Sequence, residues 1–140
     1  LTIPLNMPLK PNRSPRRRGY RVQMDLGRVS SAALMLSGLA GVVMPERVAS
    51  ALELTATTER GVAETRAGLG GTYAALGAWA LASRRPAAQT AVGVTWLGAA
   101  AVRLLSLRLD RPRTTWTYWA YLAAEVGLGV AAIATDDDRE

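Results

Sequence analysis

Apolar residues gather in four stretches, 29–44, 67–82, 87 to about 107 and 114–134, with charged or Pro-marked breaks between them. Crossing a bilayer as a helix takes about 20 predominantly apolar residues, with a range of about 17–25. The fourth stretch meets that length outright and the third does so if Arg103 is tolerated, whereas the first two are short. The first can extend back through Leu26 and Gly27 with Arg28 snorkelling to the headgroups. The second can begin near Val62 with Glu64 and Arg66 at the interface. A soluble four-helix protein would instead need a polar stripe at period 3.6 on each helix. Stretch 29–44 offers only Ser30, Ser31 and Ser37, and stretch 67–82 only Thr72 and Tyr73, so neither has a face suited to water. The pattern predicts an all-α integral membrane four-helix bundle spanning residues 24–135.

The breaks set its topology. Ser83-Arg84-Arg85-Pro86 and Asp110-Arg111-Pro112-Arg113 are tight connections that force adjacent antiparallel helices, hence an up-down-up-down order. The first loop, about 45–63, is long enough for a short interfacial helix over 46–54 with Pro45 in its first turn, and Thr57 or Thr58 can cap the helix that follows. Small residues recur every fourth position in Ala33-Ser37-Gly41, Ala67-Gly71-Ala75 and Ala123-Gly127-Ala131, the spacing that lets helix backbones approach in lipid. Ahead of the bundle, residues 1–23 hold Pro4, Pro8, Pro11 and Pro15 and six basic residues with no apolar periodicity, and read as a disordered tail. Residues 136–140 form an acidic tail. No internal repeat and no cleavable signal is evident, and Met24 is a candidate start for the chain made in cells.

Composition narrows the chemistry. Half the residues are hydrophobic (49%) and 20% charged, while His and Cys are absent, which removes disulfides, thiolate and imidazole chemistry and the usual zinc sites. No metal or cofactor is expected, and an enzyme is the least supported class. Sixteen Arg against one Lys in an Ala- and Gly-rich chain suggests a GC-rich, bacterial source. Ten basic residues fall on the amino-terminal side of the bundle and seven on the other, which places both termini in the cytoplasm and the protein, multi-pass, in the bacterial cytoplasmic membrane. A start at Met24 would leave four against seven and remove that bias. The basic tail is expected to meet anionic lipid headgroups, and nucleic acid is not an expected partner.

Aromatics and charges then mark particular positions. Trp116, Tyr118, Trp119 and Tyr121 crowd the start of the fourth stretch and Trp79 the end of the second, as headgroup-level belts do. Trp96 falls mid-span, where with Tyr73 it marks core packing or a candidate pocket. Glu125 lies about eleven residues into its stretch, roughly 16 Å along a helix and near the bilayer centre, where an unpaired charge costs about 2.5–3.5 kcal/mol or more. It therefore needs a partner. Arg103, four residues inside the far end of the third stretch, approaches from the same end as Glu64 and Arg66. Those four residues form a neutral cluster that is either a binding site or a latch fixing helix register.

The segment Glu64-Thr65-Arg66-Ala67-Gly68-Leu69-Gly70-Gly71, the segment Ala101-Val102-Arg103-Leu104-Leu105-Ser106 ahead of Asp110, and Glu125 together resemble the small four-helix bacterial membrane proteins of domain of unknown function family 4345. The likeness spans about 26–134 and implies a membrane bundle in which Glu64, Arg66, Gly70, Gly71, Arg103 and Glu125 are the positions to test. The Pro- and Arg-rich tail departs from it, as does Arg111-Pro112 where a Gly-containing turn would be usual. The family has no established activity. The resulting expectation is an accessory or structural subunit that packs on other membrane subunits or on itself. The alternative is a small-molecule or lipid-binding protein, or a minimal transporter, working through the Glu/Arg cluster.

Overall fold

A computed structural model describes residues 16–83 and 85–134, with side chains from residue 26 onward. The described chain is all-helical: α1 (Arg16–Val43), α2 (Pro45–Ala51), α3 (Glu59–Thr65), a π-helical turn (Arg66–Gly71), α4 (Thr72–Ala82), α5 (Pro86–Leu109) and α6 (Trp116–Ile133). The start of α1 corrects the expected tail boundary, because residues 16–23 are helix. All four tail prolines precede Arg16, so nothing interrupts the helix from there on, and Arg is a good helix former. Residues 1–15, Arg84 and the acidic 136–140 lie outside the described residues. In the first loop, α2 opens with Pro45 as expected, and the Thr58 hydroxyl caps α3 by accepting the Gly61 N–H at 3.0 Å.

Glycine decides how the helices meet. A Cβ at Gly77 would lie 2.4 Å from the Met35 nitrogen, at Gly38 2.1 Å from that of Ala74, and at Gly70 2.6 Å from that of Val42. The backbones of α1 and the 66–82 segment thus touch, and since the matched positions fall on one as they rise on the other, they run antiparallel. A second close pair joins α5 to α6, where Gly93 faces Gly129 and Ile133. Of the glycines expected to pack helices, Gly70 lies in close backbone approach to α1, while Gly71 and Gly127 do not approach a neighbouring helix. A Cβ on Gly71 would meet only its own Arg66 carbonyl, at 3.9 Å, and one on Gly127 nothing within 4 Å. In so Ala- and Gly-rich a chain small-residue rows occur on several faces of each helix, and α6 buries Glu125, Gly129 and Ala132 instead of the Gly127 row.

The second apolar stretch is one path broken by the π turn. A π turn takes an extra residue per turn and so shifts the face that follows it. Here it brings Gly70 onto α1 and aims Arg66 at the same helix, where its Nε donates to the Val42 carbonyl at 3.0 Å. That carbonyl is one of the last four of α1 and has no partner within its helix.

The core is lean. Leu34, Ala80, Ala88, Val92 and Ala132 form the fully buried cluster, with Tyr73, Leu76 and Trp96 against it. Polar bridges supplement it. The Gln89 side chain on α5 donates to the Ala80 carbonyl at 3.1 Å and accepts the Ser31 hydroxyl at 2.8 Å, tying α4 and α1 to α5. The Ser30 hydroxyl donates to the Leu128 carbonyl of α6 at 2.7 Å.

Two described helices are long and apolar enough to cross a membrane, over Leu26–Val43 and Pro86–Leu109. The other two expected spans do not qualify. The π turn leaves α4 only 11 residues, and α6 carries four Trp and Tyr residues plus Glu125 within its 18. Only 33% and 17% of the two qualifying windows are buried, whereas the core helix of a water-soluble protein would be mostly covered. Val43, Val94, Val102, Leu105, Leu109 and Val130 lie exposed on the outer surface.

Candidate functional site

Arg103 and Glu125 meet where α5 and α6 approach the loop that joins them. Glu125 shares one helical face of α6 with Tyr118 and Tyr121, seven and four residues earlier, and that face looks onto α5. The Arg103 guanidinium donates from Nη2 to Glu125 Oε1 at 2.7 Å and from Nε to Oε2 at 3.0 Å, a fork-on-fork pair that engages both carboxylate oxygens. Glu125 is buried, at 7% exposure, and Arg103 half-buried. The guanidinium carbon sits 5.3 Å and 5.7 Å from the ring centres of Tyr118 and Tyr121, within cation–π range. The Tyr118 hydroxyl donates to the Arg103 carbonyl at 2.6 Å, fastening the first turns of α6 to α5.

Of the four charges expected in one cluster, the fold brings together these two. Glu64 instead lies 3.7 Å from Arg60, one turn earlier on an exposed face, and Arg66 caps α1. Both precede or open the π turn, which turns them to other faces. Tyr73 and Trp96 pack on each other with ring centres 6.5 Å apart and line the core cluster, so the core-packing reading describes them; the Trp96 indole nitrogen is buried without a protein hydrogen-bond partner.

Arg103 also forms one wall of a cavity of about 210 Å³ at this end of the molecule. Its other walls are Leu52 and Glu53 after α2, Pro112 and Arg113 of the last loop, and Thr115 and Thr117 at the start of α6. Glu53 is held there by the closing turn of α2, in which Leu54 N–H bonds to Ala49 O (2.8 Å) and Glu53 N–H to Ser50 O (3.0 Å), with Glu53 in the left-handed region at φ 57°. A more open depression of about 410 Å³ lies on the other flank of Glu53, against Glu46, Ser50 and Thr55. Among the described residues no three acidic residues stand close enough to hold a metal ion.

Sequence reasoning missed Gln89 and Tyr118 as partners. For Gln89 the signal was present, since it is the sole side-chain amide in the four apolar stretches. Tyr118 was absorbed into an aromatic belt that describes its depth and not its direction. No family model, curated protein or solved structure matches this chain.

Proposed function

We propose that this chain is a small multi-pass membrane protein, a four-helix up-down-up-down bundle with both ends cytoplasmic, serving as a structural or accessory subunit of a larger membrane assembly. The observation that carries the reading is the inverted distribution of surface and interior. Large apolar side chains face outward along α5 and α6, while Glu125, the one buried carboxylate among the described residues, is closed on a guanidinium. Lipid rewards that arrangement and water penalises it. With both oxygens of Glu125 engaged by Arg103, the pair acts as a latch that fixes the register of α5 against α6. The resemblance to domain of unknown function family 4345 belongs to this proposal and rests on the segment 64–71, the segment 101–106 ahead of Asp110, and Glu125. The basic residues ahead of the first span add a contact to anionic headgroups.

Alkaline carbonate extraction of membranes from expressing cells tests integration: the protein stays in the pellet, and release into the supernatant refutes the reading. Reporter fusions after residues 43, 83, 110 and 134 test topology, with alternating sides expected. Gentle purification with mass spectrometry of co-purifying proteins tests the accessory role, which fails if a lone monomer or homo-oligomer is recovered under conditions that preserve other membrane complexes.

A further inference from the structure

We propose that the cavity between the end of α2 and the start of α6 is a seat for a zwitterionic phospholipid headgroup, a phosphodiester carrying a primary ammonium, as in phosphatidylethanolamine. The inference rests on the membrane reading. Its basis is the charge carried by the cavity wall. Arg103 is neutralised by Glu125, which leaves Arg113 and Glu53 as opposite charges on one cavity of about 210 Å³. Neither charge forms a salt bridge among the described residues, with the other or with any third group. An anion in this cavity meets Glu53 and a cation meets Arg113. A ligand with both signs satisfies both.

The phosphate side is further prepared. Thr115, the N-cap of the 18-residue α6, makes no side-chain cap, its hydroxyl lying instead 2.6 Å from that of Thr117. The opening amides of the helix are therefore left for an anionic oxygen beside Arg113 and the remaining guanidinium edge of Arg103. The ammonium side falls to the Glu53 carboxylate, which accepts N–H donors that a methylated choline lacks. A bilayer source is favoured by the surroundings. Trp116, 83% exposed, and Trp119 stand beside the wall residues at the opening of α6, and the bare apolar side chains of Val102, Leu105 and Leu109 lead away along α5, the setting of a lipid held at headgroup depth.

The test is native mass spectrometry of the full chain released from bilayer nanodiscs of equal phosphatidylethanolamine, phosphatidylglycerol and phosphatidylcholine with matched acyl chains. Because Glu53 and Arg113 are both exposed, where ion pairs add little, preferential retention of the ethanolamine lipid by up to about fivefold is expected. Glu53→Gln should abolish the preference over phosphatidylglycerol, and Arg113→Gln should lower retention of all three, both with an unchanged thermal midpoint. Indiscriminate retention, or a preference that survives Glu53→Gln, overturns the headgroup seat. Binding of free O-phosphoethanolamine to lipid-stripped protein as tightly as the lipid overturns the bilayer source. Carbonate extraction separates the two levels: a protein that pellets yet retains lipids indiscriminately loses this inference alone, whereas a released protein loses the membrane reading as well.

Discussion

Replacing Arg103 by Leu removes both hydrogen bonds to Glu125 and leaves a carboxylate at 7% exposure with no counter-charge. Replacing Glu125 by Leu leaves instead a half-buried guanidinium, still on the rings of Tyr118 and Tyr121 and six residues, about 9 Å of helix, from the end of α5. Breaking a buried pair from one side costs about 3–5 kcal/mol in water-soluble proteins. On the proposed membrane reading the unfolded reference also finds polar partners, which moves the expectation to about 2–3 kcal/mol for each single variant. Arg103→Leu is the costlier of the two at neutral pH because its stranded group is the more buried. The double replacement leaves two apolar side chains in contact and should return to within about 1 kcal/mol of the parent, a coupling of about 2–3 kcal/mol.

The assay is equilibrium unfolding in mixed micelles with increasing dodecyl sulfate, followed by tryptophan fluorescence. Strict additivity of the single effects would refute the latch.

The same assay checks the packing. Gly77→Ala, whose new methyl meets the Met35 backbone at 2.4 Å, should cost about 1–3 kcal/mol, whereas Gly127→Ala, with nothing within 4 Å, should be neutral or stabilise by up to about 1 kcal/mol; equal effects would mean α1 and α4 are not in backbone contact. Gln89→Leu should cost about 1–2 kcal/mol by removing its bonds to Ser31 and the Ala80 carbonyl, and Ser31→Ala in that background should add little; full additivity would break the bridge. Arg111→Gly should raise stability by about 1 kcal/mol, because Arg111 follows α5 in the left-handed region at φ 47°, where a Cβ is unfavourable; a loss would show that the Arg111 side chain does more for the fold than its backbone costs.

The residues alone determined the helical class, the break positions, the helix opened by Pro45, a threonine cap at Thr57 or Thr58, between which the structure chose Thr58, and the demand that Glu125 find a partner. Each follows from a local property: a missing polar stripe, a fixed proline φ, a hydroxyl three residues ahead of an N–H, and the cost of a charge in an apolar span. At Arg111-Pro112 the chain makes the kind of turn a glycine would make by placing Arg111 at positive φ. Tertiary structure decided which faces meet. Small residues are spread so evenly that Ala67-Gly71-Ala75 and Gly70-Gly77 look equivalent in sequence, and only the packed structure shows that Gly70 and Gly77 are the ones against α1. Likewise Glu64 pairs with Arg60 and Arg66 with the Val42 carbonyl of α1, which leaves Glu125 to the Arg103 guanidinium. Which helix a segment packs on depends on the sum of contacts along its length, and no single residue type announces it.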